Sequence, residues 1–202
     1  SNNVYTTGYF QGTADFDPGP GIYNLVASGI NASDIYVSKL DFSGNFVWAK
    51  QLGGASDDFG TSIAIDANTN VYTTGYFYGV ADFDPGAGAY NLSSLVSYDI
   101  FVSKLNSSGN FILAKQLGGV GDDRANSIVV DLSGNIYTTG YFNGSADFDP
   151  GPSSFNITSV GVADVFISKL DNSGNFLWAK QIGGVDAEIG QAITIDANNN
   201  VY

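Results

Sequence analysis

The side chains that could do chemistry in this chain are acidic, and they recur. The hexapeptide ADFDPG begins at Ala14, Ala81 and Ala146. In an extended segment Asp15 and Asp17 project to one side of the backbone and Phe16 to the other, and the same holds for Asp82 with Asp84 and for Asp147 with Asp149. Two carboxylates at that spacing, ahead of a Pro-Gly turn, are half of a calcium loop. Calcium takes roughly six to eight oxygens, so other groups must join them. The loops lack the third Asp and the later Glu of an EF-hand. These six aspartates are the metal-ligating candidates. Turn chemistry is the competing reading and carries more weight: Pro18 fixes φ, Gly19 accepts a positive φ, and Asp17 hydrogen-bonds the turn's backbone. A second acidic pair, Asp57-Asp58 and Asp122-Asp123, follows the GG corners, where it forms a cation site or caps a turn. In the third copy Ala187 and Glu188 take those places.

Other chemistry is excluded by composition. There is no His and no Cys among the 202 residues, which removes thiol nucleophiles, Ser-His-Asp triads and metal sites built on those ligands. Carboxylates, hydroxyls, six lysines and one arginine remain. A glycosidase pair needs two carboxyl groups with separated pKa values across a cleft, and threefold copies supply only identical half-sites. The expectation is a protein that is not an enzyme. A net charge of -13 argues against nucleic acid and anionic membranes, and favours cations as partners. No apolar run approaches the ~18 residues of a membrane span.

The elements that position these residues are written three times. VYTTGYF opens at Val4 and Val71, and IYTTGYF at Ile136; NFVWAKQLGG, NFILAKQLGG and NFLWAKQIGG open at Asn45, Asn110 and Asn175. A period of this size marks an array of one supersecondary unit. In the second copy TSIAID (61–66), VYTTGYF (71–77), DIFVSKL (99–105) and NFILAKQLGG (110–119) read as four strands of a meander. Gly44, Gly109 and Gly174 fall where the last hairpin needs a positive φ. The fold class is all-β: three tandem four-stranded β-propeller blades of about 65 residues, repeats 4–70, 71–135 and 136–200, in one segment of a larger or oligomer-closed propeller. A parallel β-helix is the rival. ADFDPG and a variable stretch are inserted between the second and third strands, which predicts a surface loop on one face of the array.

In the corners GGASDD and GGVGDD, the segments IDANTNVYTTG and VDLSGNIYTTG, and the block DIYVSKLDFSGNFVWAKQLGG, the chain resembles the SBBP family of bacterial β-propeller repeats. The ADFDPG insertion resembles a variant common in Bacteroidota surface proteins. The resemblance implies a propeller fold and an extracellular or cell-surface address, and it transfers no catalytic residue. The corner GGVDAEIG departs from the pattern.

The lysines fall at two recurrent positions, Lys39, Lys104, Lys169 and Lys50, Lys115, Lys180; in a sheet packed on both faces each must snorkel or meet a carboxylate. The strand aromatics read as core between blades, with Tyr23, Tyr90 and Phe155 the better candidates for exposed contacts. Arg124 is the lone arginine and stands where Phe59 does. NNVY occurs at Asn2 and Asn199, from which a slice of a longer array is expected. The functional expectation is a non-catalytic extracellular or cell-surface scaffold presenting loops to a protein or glycan, with no cofactor beyond calcium and no membrane insertion. The first rival is a structural subunit that self-associates through open blade edges, Val4–Phe10 of one chain against Ala192–Asp196 of another. A polysaccharide-active enzyme, begun by Asp186 and Glu188, is the second.

Overall fold

The computed structural model describes residues 2–94 and 96–202. In chain order the first repeat forms β1 (Val4–Gln11), β2 (Thr13–Asp15), β3 (Asn24–Val26), β4 (Ser33–Leu40) and β5 (Phe46–Gly54). The second forms β6 (Asp58–Ile65), β7 (Val71–Phe77), β8 (Val80–Asp82), β9 (Asn91–Ser93), β10 (Asp99–Leu105) and β11 (Phe111–Gly119). The third forms β12 (Arg124–Val130), β13 (Ile136–Phe142), β14 (Ser145–Asp147), β15 (Asn156–Thr158), β16 (Asp164–Leu170) and β17 (Phe176–Ile182). No helix long and apolar enough to cross a membrane occurs among the described residues.

The four strands read in the second repeat are a meander in the order β6-β7-β10-β11, and the third repeat repeats it as β12-β13-β16-β17. All neighbours are antiparallel, from Ile65↔Val71 through Leu105↔Val71 to Ile100↔Leu117. The fold is therefore all-β propeller blades, and the array is open rather than closed into a ring. β6 begins at Asp58, earlier than the alternation from Thr61 indicates, because a bulge lies between Gly60 and Ser62. The bulge turns Thr61 outward, and its hydroxyl donates to Ala125 O of the next blade at 2.7 Å. Ala192–Asp196, expected as a further strand, makes only an isolated bridge, Ile195↔Val201.

The hairpin turns work as their residues dictate. Asp41 Oδ1 accepts from the backbone N–H groups of Ser43 and Asn45, and Asn45 Nδ2 donates to Asp41 Oδ2. Gly44, Gly109 and Gly174 carry φ of 82°, 77° and 78°. Blades pack face to face. Ile35, Val37, Trp48 and Leu52 of the first blade close against Val71, Phe77, Phe83, Phe101 and Leu105 of the second. Ile100 and Leu117 meet Phe142, Phe148 and Phe166, while Tyr72 and Val102 meet Ile136 and Leu170.

The insert is the main departure from the sequence reading. It is not a free surface loop. β8 and β9 form a short hairpin (Ala81↔Leu92) that joins the outer strand of the preceding blade through Gly53↔Asp82 and Gly54↔Ala81. β14 and β15 do the same to β11 through Gly118↔Asp147 and Gly119↔Ala146. The second and third inserts therefore each staple two blades. β2 and β3 pair only with each other.

Candidate functional site

In the ADFDPG loops one oxygen of each aspartate is already engaged. Asp15 Oδ1 accepts from Asp17 N at 3.0 Å and Tyr23 N at 2.8 Å, and Asp17 Oδ1 accepts from Gly19 N at 2.8 Å. Asp82 and Asp84 repeat this with Asp84 N, Tyr90 N and Gly86 N, and Asp147 and Asp149 with Asp149 N, Phe155 N and Gly151 N. The Tyr23 and Asp17 amides hold Asp15 below the usual carboxylate range. All six candidates therefore serve the turn. Among the described residues no group of three or more Asp, Glu, His or Cys is placed to hold a metal ion; the loops bring two acids each.

What the structure adds is the company these acids keep. Asp82 and Asp84 line a groove of about 320 Å³ between the first and second inserts, with Lys50, Gln51 and Tyr23 on its other side. Tyr23 lies over Phe46, ring centroids 4.7 Å apart, as Tyr90 lies over Phe111 and Phe155 over Phe176. Each of these insert rings is about 40% exposed, so one face packs and the other is offered to solvent. A polar groove with carboxylates, an ammonium, an amide and a ring edge suits a hydrogen-bonding, polyhydroxylated or mixed-charge ligand.

A second feature, missed by sequence reading, runs along the rim where β1 and β7 end and β6 and β10 begin. Tyr9 meets Phe59 at 4.8 Å, Phe59 meets Tyr76 at 5.0 Å, and Tyr76 meets Tyr98 at 5.2 Å. Arg124 lies over the Tyr76 and Tyr98 rings at 4.5 and 4.7 Å, and Asp122 holds its guanidinium by two hydrogen bonds of 2.8 and 3.0 Å. This is an ordered cation–π stack crossing blades. The substitution of Arg124 for Phe at the same repeat position was its only signal.

The GG corners hold the third set of acids, and it is buried. Asp34 Oδ2 accepts from Ser28 N, Ser28 Oγ and Gln51 Nε2. Asp58 accepts from Gly54 N at 2.8 Å and Tyr78 N at 3.3 Å. Both carboxyls are fully buried and converge on Gly53, where a Cβ would lie 3.0 Å from Asp34 Oδ1 and 2.9 Å from Asp58 Oδ2. Asp34 Oδ1 has no hydrogen-bond partner, nor do Asp99 Oδ1 and Asp164 Oδ1 at the same repeat position. Burial above all, with the Asp34 charge beside it, pushes Asp58 up to about 8; burial pushes Asp123 to about 7 and Asp99 to about 6. Glu188 replaces Asp58 in function as well as in place, since Glu188 Oε2 accepts from Gly184 N at 2.8 Å. Backbone N–H groups, Ser28 Oγ and Gln51 Nε2 donate to the two carboxyls, while the charges of Asp34 and Asp57 add to the burial that disfavours ionised Asp58.

Lys39 and Lys104 form no ion pair within 4 Å among the described residues. Lys39 Nζ donates to Ser107 O in the next blade at 3.1 Å and lies over Tyr5; Lys104 Nζ donates to Asn172 O at 3.1 Å and lies over Tyr72. A carbonyl in the neighbouring turn and a ring face replace the carboxylate. Among the described residues the ion pair within 4 Å is Arg124–Asp122.

Comparison with known proteins agrees with this architecture. Residues 47–76 and 114–149 match the model of SBBP, the beta-propeller repeat. Over 92% of its length the chain is 26% identical to an uncharacterized WD repeat-containing protein of Acanthamoeba polyphaga mimivirus, of which it covers 15%. Over 71% of its length it is 24% identical to the regulatory protein FlaEY of Caulobacter vibrioides, of which it covers 14%. The chain thus spans about one seventh of the length of these relatives. Blades, staples and the two matched repeats together show a β-propeller repeat architecture.

Proposed function

We propose that the chain is a non-catalytic recognition scaffold that works outside the cell or at the cell surface, binding glycan or protein through the grooves between successive inserts. The observation that carries this is the groove in which Asp82 and Asp84 of one insert face Lys50, Gln51 and Tyr23 of the unit before. It is polar, partly open and lined by residues of two successive units. Rigid blades lower the ordering cost of binding. The non-catalytic reading is supported by the acids themselves: each has an oxygen committed to backbone N–H groups, which leaves no paired acid and base across a cleft. The extracellular address rests on the resemblance of the repeats.

A glycan array probed with the labelled chain, with and without calcium, tests the reading. Binding to a defined glycan set that is lost in Lys50→Ala and Asp82→Asn, with no release of reducing sugar, supports it. Unchanged binding in both variants places recognition elsewhere. Binding that appears only with calcium would assign the loop aspartates a metal as well as a turn.

A further inference from the structure

We propose that the tyrosine corner of the second blade, formed by Tyr76, Tyr78 and Tyr98 with Asp57 and Asp122, docks an arginine-bearing segment of a protein partner. The second blade packs against a blade on each side, and none of these five residues lines the insert groove.

The repeats supply the control. In the first, Gln11 Nε2 donates to Ser33 Oγ at 3.1 Å. In the third, Asn143 at the Gln11 position donates through Nδ2 to Val162 O. In the second, the positions of Gln11 and Ser33 are Tyr78 and Tyr98, with ring centroids 5.8 Å apart. Two substitutions that meet in space have exchanged a hydrogen bond for an aromatic pair. The blade does not require them. The strands they flank, β7 and β10, pair in the same register as β13 and β16, from Asp99↔Phe77 and Asp164↔Phe142 onward. Asp122 and Arg124 stand at the same corner, where the third copy has Ala187 and Ile189. Departures from the repeat gather at one rim and leave the strand pairing unchanged, as expected of a face that binds.

That rim already holds one guanidinium. Tyr76 and Tyr98 stand nearly perpendicular, at 86°, and Arg124 lies over both rings at 4.5 and 4.7 Å. Asp122 closes the cage with two hydrogen bonds. Two ring faces and a carboxylate are the chemistry of a cation cage. Beside it the same parts occur without a cation. Tyr78 is 42% exposed, and its N–H donates to Asp57 O at 3.2 Å, which sets ring and acid side by side. Asp57 Oδ1 accepts from Ser33 N at 2.9 Å, and no lysine or arginine lies within 4 Å of the Asp57 carboxylate among the described residues. Burial first, and then the Asp57 charge, push the Tyr98 hydroxyl up, so this acid is within electrostatic reach of that ring. Two acids against one arginine leave the corner negative, in a chain of net charge -13. A partner's arginine supplies what is missing: a planar cation that stacks on Tyr78 and donates to Asp57. Tyrosine and arginine at a rim are also the residues enriched at protein interfaces.

Fluorescence anisotropy of a labelled Arg-Gly repeat peptide tests this, with the same peptide carrying citrulline for arginine as its neutral counterpart. The arginine peptide is expected to bind saturably, and the citrulline peptide at least about tenfold more weakly. The double variant Tyr78→Gln, Tyr98→Ser installs the first repeat's hydrogen-bonded pair and leaves the net charge unchanged. It is expected to keep the wild-type urea midpoint and to weaken arginine-peptide binding about tenfold, through the loss of two ring contacts. Asp57→Asn keeps an acceptor for Ser33 N; it is expected to weaken binding about threefold and to flatten its salt dependence. Equal arginine-peptide affinity in wild type and the double variant would reduce binding to the overall charge and overturn the proposal. So would the absence of saturable binding at about 1 mM peptide. Should the double variant's midpoint collapse, Asp57→Asn decides alone: unchanged affinity and salt dependence overturn the proposal. Glycan-array binding that is lost in a folded double variant, with no peptide binding by wild type, gives the corner to a sugar and overturns the arginine partner.

Discussion

The acids of the ADFDPG loops and the acids of the GG corners share one side chain and one period, and they lie within the same staple. Their surroundings separate them. Asp17 sits over a solvent-facing turn with one oxygen bound by Gly19 N, whereas Asp58 is fully buried, accepts two backbone N–H groups and shares its pocket with Asp34. The first kind gains from ionisation because hydrogen bonds favour the charged form. The second is penalised by it because burial and a neighbouring charge disfavour that form. The comparison teaches that in a repeat protein the acid's job is set by the layer it occupies: at the rim it fixes a turn, at the junction it joins blades.

Removing the space between the junction acids has the largest expected effect. Gly53→Ala places a Cβ 2.9 Å from both Asp34 Cγ and Asp58 Oδ2, at a φ of 145° that side chains avoid. A loss of about 3–4 kcal/mol is expected by denaturant unfolding. Gly12→Ala is the control, since its φ of 60° carries only the backbone cost and nothing lies within 4 Å; about 1 kcal/mol is expected. Equal losses at the two sites would remove the special status of the junction.

Next comes the acid itself. Asp58→Ala strands the Gly54 amide, leaves the Tyr78 amide only its bond to Asp57 O, and leaves Asp34 alone, for an expected loss of about 2–3 kcal/mol. Asp17→Ala frees one exposed amide to water, and about 0.5 kcal/mol is expected. Comparable midpoints for the two variants in urea would sink the distinction between rim and junction acids.

The same comparison has a pH signature. The unfolded chain releases these protons near 3.8, while folded Asp99, Asp123 and Asp58 hold theirs to about 6, 7 and 8. Between those limits the unfolded state binds fewer protons, so stability falls as pH rises from about 4 to 8 and levels above that. Asp15, Asp41 and Asp196 run the other way: backbone N–H groups on Asp15, and the Asn45 and Asn200 side chains on the other two, lower their pKa. Their contribution is present above 3.8 and lost as pH falls below it. Maximum stability is therefore expected near pH 4–5, falling toward pH 8. Asp58→Asn and Asp123→Asn test this, because each removes a buried carboxyl that burial holds protonated. The double variant Asp58→Asn, Asp123→Asn is expected to flatten the fall in melting temperature between pH 5 and 8. A profile as steep as wild type would break this account.

Much of this was legible in the residues. Strand alternation and Asn/Gly turn punctuation are local, so VYTTGYF, DIFVSKL and the Gly44, Gly109 and Gly174 turns follow from their own side chains. The staple was not legible, because ADFDPG and the variable stretch carry only three-residue strands whose partner is the previous blade's GG corner, far upstream in sequence (Gly53↔Asp82 and Gly54↔Ala81). Long-range pairing leaves no periodic mark. The junction acids escaped for a related reason. Asp34 and Asp58 are 24 positions apart and each looks like an ordinary strand-end acid; their shared phase in three repeats was the only sign that they meet.

The smallest expected effect concerns Arg124, a polar side chain that breaks the threefold pattern. Arg124 stacks on Tyr76 and Tyr98 and pairs with Asp122 at partly exposed positions, where cation–π and ion-pair contributions are each about 0.5–1 kcal/mol or less. At the equivalent place in the preceding blade Phe59 stacks between Tyr9 and Tyr76, so the site already accommodates a ring. Arg124→Phe is therefore expected to change stability by under about 0.5 kcal/mol, while Arg124→Ala loses about 1 kcal/mol because the stem and the stack both go. If Arg124→Phe proves as costly as a junction acid, the aromatic tier belongs with the buried layer. If it is neutral to folding and yet abolishes glycan binding, the tier joins the insert groove as part of the recognition face, with Arg124 setting its specificity.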